Sequence, residues 1–224
     1  MQVLKRVLND EELAGIQSAL AAADFAAGNK TAGFQAQKVK RNLQLPPGST
    51  EQERLARIVN QALNRHKAFF AAALPSKLMP ILFNRYEAGM EYGAHVDNAY
   101  MRAGGKQGLR SDIAATLFLS DPASYDGGEL TVHAGQMVQR VKLPAGDMIL
   151  YSANSRHRVE PVTRGSRDAA VFWVQSMVRQ AERRQMLYEL DRAVQGLVSR
   201  TPEAPEILVL TALYNGLLRE WIEV

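Results

Sequence analysis

The sequence contains no cysteine. That absence excludes disulfides, thiolate metal ligands, iron–sulfur clusters and cysteine nucleophiles, so any metal must be held by His, Asp or Glu. Long apolar runs are missing as well: no stretch approaches the roughly 20 residues that a membrane-spanning helix needs. With 46% hydrophobic and 22% charged residues the composition is ordinary for a soluble globular chain, and no membrane partner is expected. A secretory signal is not in view, because Asp10, Glu11 and Glu12 interrupt the N-terminal segment and no small-residue cleavage site follows an apolar core. The expected compartment is the cytoplasm.

Charge of one sign is not concentrated anywhere either. There are 27 Lys and Arg against 23 Asp and Glu, a formal net charge of +4. The isoelectric point is about 9.4, which brings nucleic acid into consideration. Yet residues 1–75 carry 10 basic and 6 acidic side chains, residues 76–180 carry 12 and 10, and residues 181–224 carry 5 and 7. Lys38, Lys40 and Arg41 form a short cluster that falls far below the basic stripe needed to neutralise a phosphate backbone. These charges read as a solvated face, with no nucleic-acid partner.

What is present divides the 224 residues into three segments. Residues 1–77 predict an N-terminal, helix-containing segment packed on the core. Asn9 and Asp10 stand in N-cap positions before Leu13, Ile16 and Leu20, and a second helix carries Leu55, Val59, Leu63 and Phe70 at helical spacing until Pro75 closes it. Residues 78–178 alternate short β-branched and aromatic stretches with turn residues: Met79–Tyr86, Ile113–Leu119, Glu129–His133, Val138–Leu143, Met148–Ser152, His157–Val162 and Ala169–Met177. Many short strands without helical crossovers predict a mainly β fold with flanking helices, a β-sandwich or double-stranded β-helix (jelly-roll) core. Residues 179–224 return to helical spacing. There Ile207, Leu210, Leu213, Tyr214, Leu217, Leu218 and Trp221 form an apolar face that must be buried, on the core or against another copy of the chain.

With thiols absent, the four histidines are the informative residues. His95 and Asp97, two apart on a strand, would face the same way and could offer a nitrogen and a carboxylate to one ion. His157 lies on a later strand that a barrel can bring alongside. Two His and one carboxylate on one face of an octahedral ion leave three positions open, the arrangement of non-haem Fe(II) oxygenases. A His-x-Asp pair alone arises readily by chance. Arg167, returning on the strand after the Thr163–Ser166 turn and alternating with Ala169, Val171 and Trp173, adds a guanidinium able to take a carboxylate bidentately inside an apolar core. His66 and His133 read as a core-edge residue and an outward strand residue. Asp147 and Asp168 could orient ligands or could serve turns and strand edges.

The stretch from Asn84 through His95-Val96-Asp97-Asn98, the Gly127-Gly128-Glu129-Leu130 turn, and Pro144-Ala145-Gly146-Asp147 leading to His157-Arg158-Val159-Glu160-Pro161 and Arg167 resemble the PKHD-type hydroxylases. These are bacterial relatives of the prolyl 4-hydroxylase-like Fe(II)/2-oxoglutarate dioxygenases. The resemblance implies Fe(II) at His95, Asp97 and His157, the distal carboxylate of 2-oxoglutarate at Arg167, and a co-substrate pocket lined by Tyr86. It further implies O2 as a partner, ascorbate as reductant, release of succinate and CO2, hydroxylation of a substrate the residues do not name, and a link to iron uptake. Two other readings use the same three ligands: a non-catalytic iron or 2-oxoglutarate sensor, and a zinc hydrolase. The hydrolase lacks a general base and leaves Arg167 unexplained.

Overall fold

The computed structural model describes residues 1–31, 33, 35–102 and 108–223. Strands dominate the middle of the chain, and among the described residues five α-helices flank them: α1 (Asp10–Ala22), α2 (Thr50–Arg65), α3 (Lys67–Ala73), α4 (Ala181–Arg200) and α5 (Glu206–Trp221). Two antiparallel sheets carry the architecture. The larger runs Gln2–Leu4, Met148–Ser152, Ile113–Phe118, Ser166–Ser176, Leu82–Glu87, Leu43–Gln44, Ala26–Ala27, with Pro75–Leu78 also paired to Ser166–Ser176. The smaller runs Met137–Val141, Leu130–Ala134, His157–Val159, Glu91–His95, Lys40–Arg41.

Period-two alternation explains how the larger sheet buries both faces. Along Ile113–Phe118 every residue is buried. Ile113, Ala115 and Leu117 turn outward to pack with Ile16 and Leu20 of α1, Leu55 and Val59 of α2, and Phe69 of α3. Ala114 and Phe118 turn the other way and meet Leu130, Val132 and Val141 of the smaller sheet. Ser166–Ser176 repeats the pattern. Its Ala170, Phe172 and Val174 join the helical side, where Phe172 meets Phe69 edge-on at 6.4 Å, while Arg167, Val171 and Trp173 face a cavity between the sheets.

The first helix starts as its sequence predicts. Asn9 Oδ1 accepts from the Glu12 backbone N–H at 2.8 Å, and the Glu12 carboxylate accepts from the Asn9 N–H at 3.0 Å, a reciprocal capping box. The second predicted helix is two. α2 ends at Arg65 and α3 begins at Lys67, because the His66 side chain takes the cap position and its Nδ1 accepts from the Phe69 N–H at 3.2 Å. His66 is therefore a helix cap and not a stripe residue.

Two strand expectations also change. The strand bearing His95 ends there, so Asp97 lies just beyond it. The predicted strand from His157 to Val162 breaks at Glu160-Pro161, where proline has no N–H to offer a ladder; Val162–Arg164 pairs instead with Asp126–Gly127. The N-terminal segment does more than pack on the core, since four of its short strands complete the two sheets.

At the C-terminal end, Tyr214, Leu217, Leu218 and Trp221 pack against Leu74, Val178 and Leu187. Of the predicted α5 face, Leu213 alone is exposed within one chain and the rest is half-buried, while Leu208 and Val209, outside that face, are exposed as well.

Candidate active site

The smaller sheet sets His95 and His157 side by side, as Cα partners across adjacent antiparallel strands next to a register shift. Their rings are 4.2 Å apart, and Tyr92 stacks flat on His95 at 3.7 Å. Each imidazole is fixed from behind: His95 Nδ1 lies 2.8 Å from the Gly93 carbonyl and His157 Nδ1 lies 3.0 Å from the Ser155 carbonyl. A carbonyl only accepts, so each Nδ1 carries the proton and each Nε2 presents its lone pair to the interior. Asp97 completes the group, its Oδ2 3.9 Å from His157 Nε2. One ligand atom from each of the three residues lies within 4.8 Å of the others.

The electrostatics suit a cation. Burial pulls the His95 pKa down to about 3, with the proximity of His157 and of Lys40 adding to the effect and the Gly93 carbonyl opposing it. His95 is thus a neutral, metal-ready imidazole. Burial raises Asp97, while His157 and the Trp173 indole pull it back. Its buried Oδ2 has no hydrogen-bond partner among the described residues, an acceptor left for something the protein does not supply.

Arg167 is the second unsatisfied group. It sits at 1% exposure beside Tyr86, its strand partner, with its guanidinium 5.3 Å from the Tyr86 and Phe118 ring centres. Its Nε and Nη2 have no hydrogen-bond partner among the described residues. Gly128, at φ +68°, makes room for it: a Cβ there would stand 3.0 Å from Arg167 Cδ. Tyr86 is buried, and that burial raises its pKa to about 12 against the lowering influence of Arg167.

Tyr125, beside Arg167, was not expected from the sequence. Its ring is fully buried and its hydroxyl is unpaired, although Arg167 is near enough to lower its pKa against the dominant raising effect of burial. The signal was the Gly127-Gly128 turn: two adjacent positive-φ glycines fold the preceding tyrosine over the residue they admit. Asp168 and Asp147 are not in the site. Asp168, on the opposite face of its strand from Arg167, takes Arg85 bidentately at 2.8 Å on each oxygen, and Asp147 accepts from the Arg6 N–H at 2.8 Å. His133 turns outward beside Arg156.

The triad, Tyr86 and Arg167 all line one cavity of about 860 Å³ between the sheets. A family model for the 2OG-Fe(II) oxygenase superfamily matches residues 81–175, and one for the PKHD-type hydroxylase C-terminal domain matches residues 182–223. A PKHD-type hydroxylase of Xanthomonas axonopodis pv. citri is 47% identical over 221 residues, 97% of each chain. The chain belongs to the PKHD-type hydroxylases. As a member it is a 2OG-Fe(II)-dependent hydroxylase, and the family brings Fe(II), 2-oxoglutarate and O2 with it.

Among solved structures, the hydroxylase is similar to a prolyl hydroxylase of Trichoplax adhaerens, with a TM-score of 0.54 and 13% identity over 83% of this chain and 86% of that one. A Pseudomonas putida prolyl-4-hydroxylase gives a TM-score of 0.52 and 17% identity over 78% and 91%. At these identities the likeness is one of fold. Among the described residues no helix is long and apolar enough to cross a membrane.

Proposed function

We propose that His95, Asp97 and His157 hold Fe(II), that Arg167 receives the distal carboxylate of 2-oxoglutarate with Tyr86 lining its pocket, and that the enzyme hydroxylates a C–H bond of a separate substrate. The observation that carries this reading is Arg167: a buried guanidinium with unpaired nitrogens, on the wall of the cavity that also contains the triad. A cation buried without partners is costly, and a ligand carboxylate removes the cost. The unpaired Asp97 oxygen makes the matching argument for the metal.

When bound together, Fe(II) and 2-oxoglutarate supply oxygen activation, giving succinate, CO2 and one oxygen atom for the substrate. The chain supplies geometry. Gly93 and Ser155 carbonyls hold both imidazoles in the tautomer that faces the cavity. Arg167 orients the co-substrate, and the Tyr125 hydroxyl is a second donor beside it. Val171, Trp173 and Leu130 shield the cavity wall from water.

The same reading takes the core as a double-stranded β-helix spanning 78–178, with 1–77 and 179–224 as helical additions, and assigns self-association to the exposed side of α5. Ascorbate as reductant, a cytoplasmic setting and a role in iron uptake accompany it through the family resemblance. A non-catalytic sensor would use the same site but release no succinate.

The test is anaerobic titration with Fe(II) and then 2-oxoglutarate, followed by the visible charge-transfer band of keto-acid chelation, and then an assay for succinate after O2 is admitted. Wild-type protein develops the band and forms succinate. His157→Ala, which keeps its strand but loses one of three ligands, develops neither. A band of normal strength in His157→Ala would sink the ligand assignment.

A further inference from the structure

The cavity has room for more than the co-substrate. Small-molecule sites run from about 300 to 1,000 Å³, so a cavity of about 860 Å³ is large for a five-carbon diacid. Its charged lining is uneven. Beyond Asp97 and Arg167, the charged side chains on the wall among the described residues are Lys40, Arg57 and Arg102 against Glu53 alone. Arg57 and Arg102 are exposed, whereas Lys40 is inside, at 7% exposure.

Lys40 and Arg167 stand on different walls. Lys40 pairs with Tyr92 in the smaller sheet and holds its ammonium 5.5 Å from the Tyr92 ring, which stacks on His95. Gln44 Oε1 accepts from Lys40 Nζ at 3.2 Å and fixes its direction. Arg167 pairs with Tyr86 in the larger sheet, and its charge is felt by Tyr151, which edges onto His157. One cation thus lies on the His95 side of the cluster and the other on the His157 side. A 2-oxoglutarate that gives its distal carboxylate to Arg167 and its keto acid to the metal has no charge left for Lys40.

We propose that Lys40 is the recognition point for the hydroxylation substrate, and that this substrate is a small molecule bearing a carboxylate, drawn in past Arg57 and Arg102 and anchored beside the metal cluster. The proposal rests on the Fe(II)/2-oxoglutarate reading of the cavity. A buried ammonium recognises a carboxylate strongly because folding has already stripped part of its water, so the charge-assisted contact costs the protein side little further desolvation. The two arginines at the exposed end extend the positive field outward and steer an anion toward it. Burial lowers the Lys40 pKa to about 8, which leaves it cationic at neutral pH.

The experiment uses wild-type protein loaded anaerobically with Fe(II) and saturating 2-oxoglutarate, so that Arg167 is occupied. Two probes of one shape are titrated by calorimetry: N-acetylphenylalanine and its primary amide, whose ring suits the aromatic wall at Tyr100 and Trp173. The acid is expected to bind about tenfold or more tightly than the amide, the effect of one charge-assisted contact. Lys40→Gln is expected to erase that preference, and Lys40→Arg to keep most of it, while both variants bind Fe(II) and 2-oxoglutarate as the wild type does.

An acid that binds wild-type protein no better than the amide overturns the proposal, as does a preference that survives in Lys40→Gln. Weakened 2-oxoglutarate binding in Lys40→Gln overturns it too, because Lys40 would then belong to the co-substrate. The wild-type ratio needs no variant and decides the matter if Lys40→Gln does not fold. Failure to bind Fe(II) or 2-oxoglutarate appears before any probe is added and overturns the underlying reading of the site, so the two failures are distinct.

Discussion

Replacing Arg167 by methionine should make the ligand-free protein more stable and the ligand-bound protein less so. In the free protein the guanidinium is 1% exposed with two unpaired nitrogens. Exchanging a buried ionic group for an apolar one of similar length often stabilises by about 1 to 4 kcal/mol. The contacts with the Tyr86 and Phe118 rings, at 5.3 Å near the outer limit of a cation–π contact, are worth about 0.5 kcal/mol each and together offset about 1 kcal/mol of that. A net gain of about 1 kcal/mol remains, which raises Tm by about 2 to 4 °C in a chain of this size. The co-substrate reverses the order. Breaking a buried pair costs about 3 to 5 kcal/mol, or about two to four orders of magnitude in Kd. At a concentration of 100 times its Kd, 2-oxoglutarate stabilises the wild type by about 2.7 kcal/mol and the variant hardly at all. Scanning calorimetry of both Fe(II)-loaded proteins, with and without 2-oxoglutarate, reads the crossing directly. Melting curves that keep one order in both conditions, or a variant raised by 2-oxoglutarate as much as the wild type, would refute the claim that Arg167 is a buried cation awaiting a carboxylate.

Two further substitutions act on Arg167 through its neighbours Tyr125 and Gly128. Tyr125→Phe removes a hydroxyl that has no partner in the free protein; stability should hold within about 1 kcal/mol while 2-oxoglutarate affinity falls about tenfold, measured by the charge-transfer titration. Unchanged affinity would remove Tyr125 from the co-substrate site. Gly128→Ala adds a Cβ at φ +68° that meets Arg167 Cδ and Val162 Cγ2 at 3.0 Å. The left-handed backbone alone costs about 1 to 2 kcal/mol, so the urea midpoint should drop and 2-oxoglutarate binding weaken together. A variant that loses only stability would mean the Arg167 stem can shift without consequence.

The site was more legible in the sequence than the frame around it, for physical reasons that differ by residue. His95 and Asp97 were legible because side chains two apart can converge on one point with His157, and a two-residue spacing is visible wherever the strand ends. Arg167 announced itself by alternation with Val171 and Trp173, since one buried charge in an apolar period is costly and rarely accidental. Tyr125 carried no such period, because it lies in a loop whose path is set by the two glycines after it. The break at His66 was hidden for another reason: apolar spacing runs through both helices, and histidine is not among the side chains usually expected to cap one. Ala26–Ala27, Lys40–Arg41 and Leu43–Gln44 are two residues long, too short for any alternation, and exist only because longer strands offer them edges.

The five residues from Lys40 to Gln44 join opposite sides of the molecule. Lys40 and Arg41 extend the smaller sheet, Leu43 and Gln44 extend the larger one, and Asn42 between them donates to Asn84 Oδ1 at 3.0 Å. A single peptide segment therefore clasps both sheets at the edge where the cavity lies, and neither can swing away there without unzipping its own pairing. Access for a substrate must come from side chains and loops at the rim, not from the sheets parting. It also means that the His95, Asp97 and His157 cluster is not a portable unit: a fragment that kept all three residues but began after Gln44 would lose the clasp, and with it one wall of the chamber.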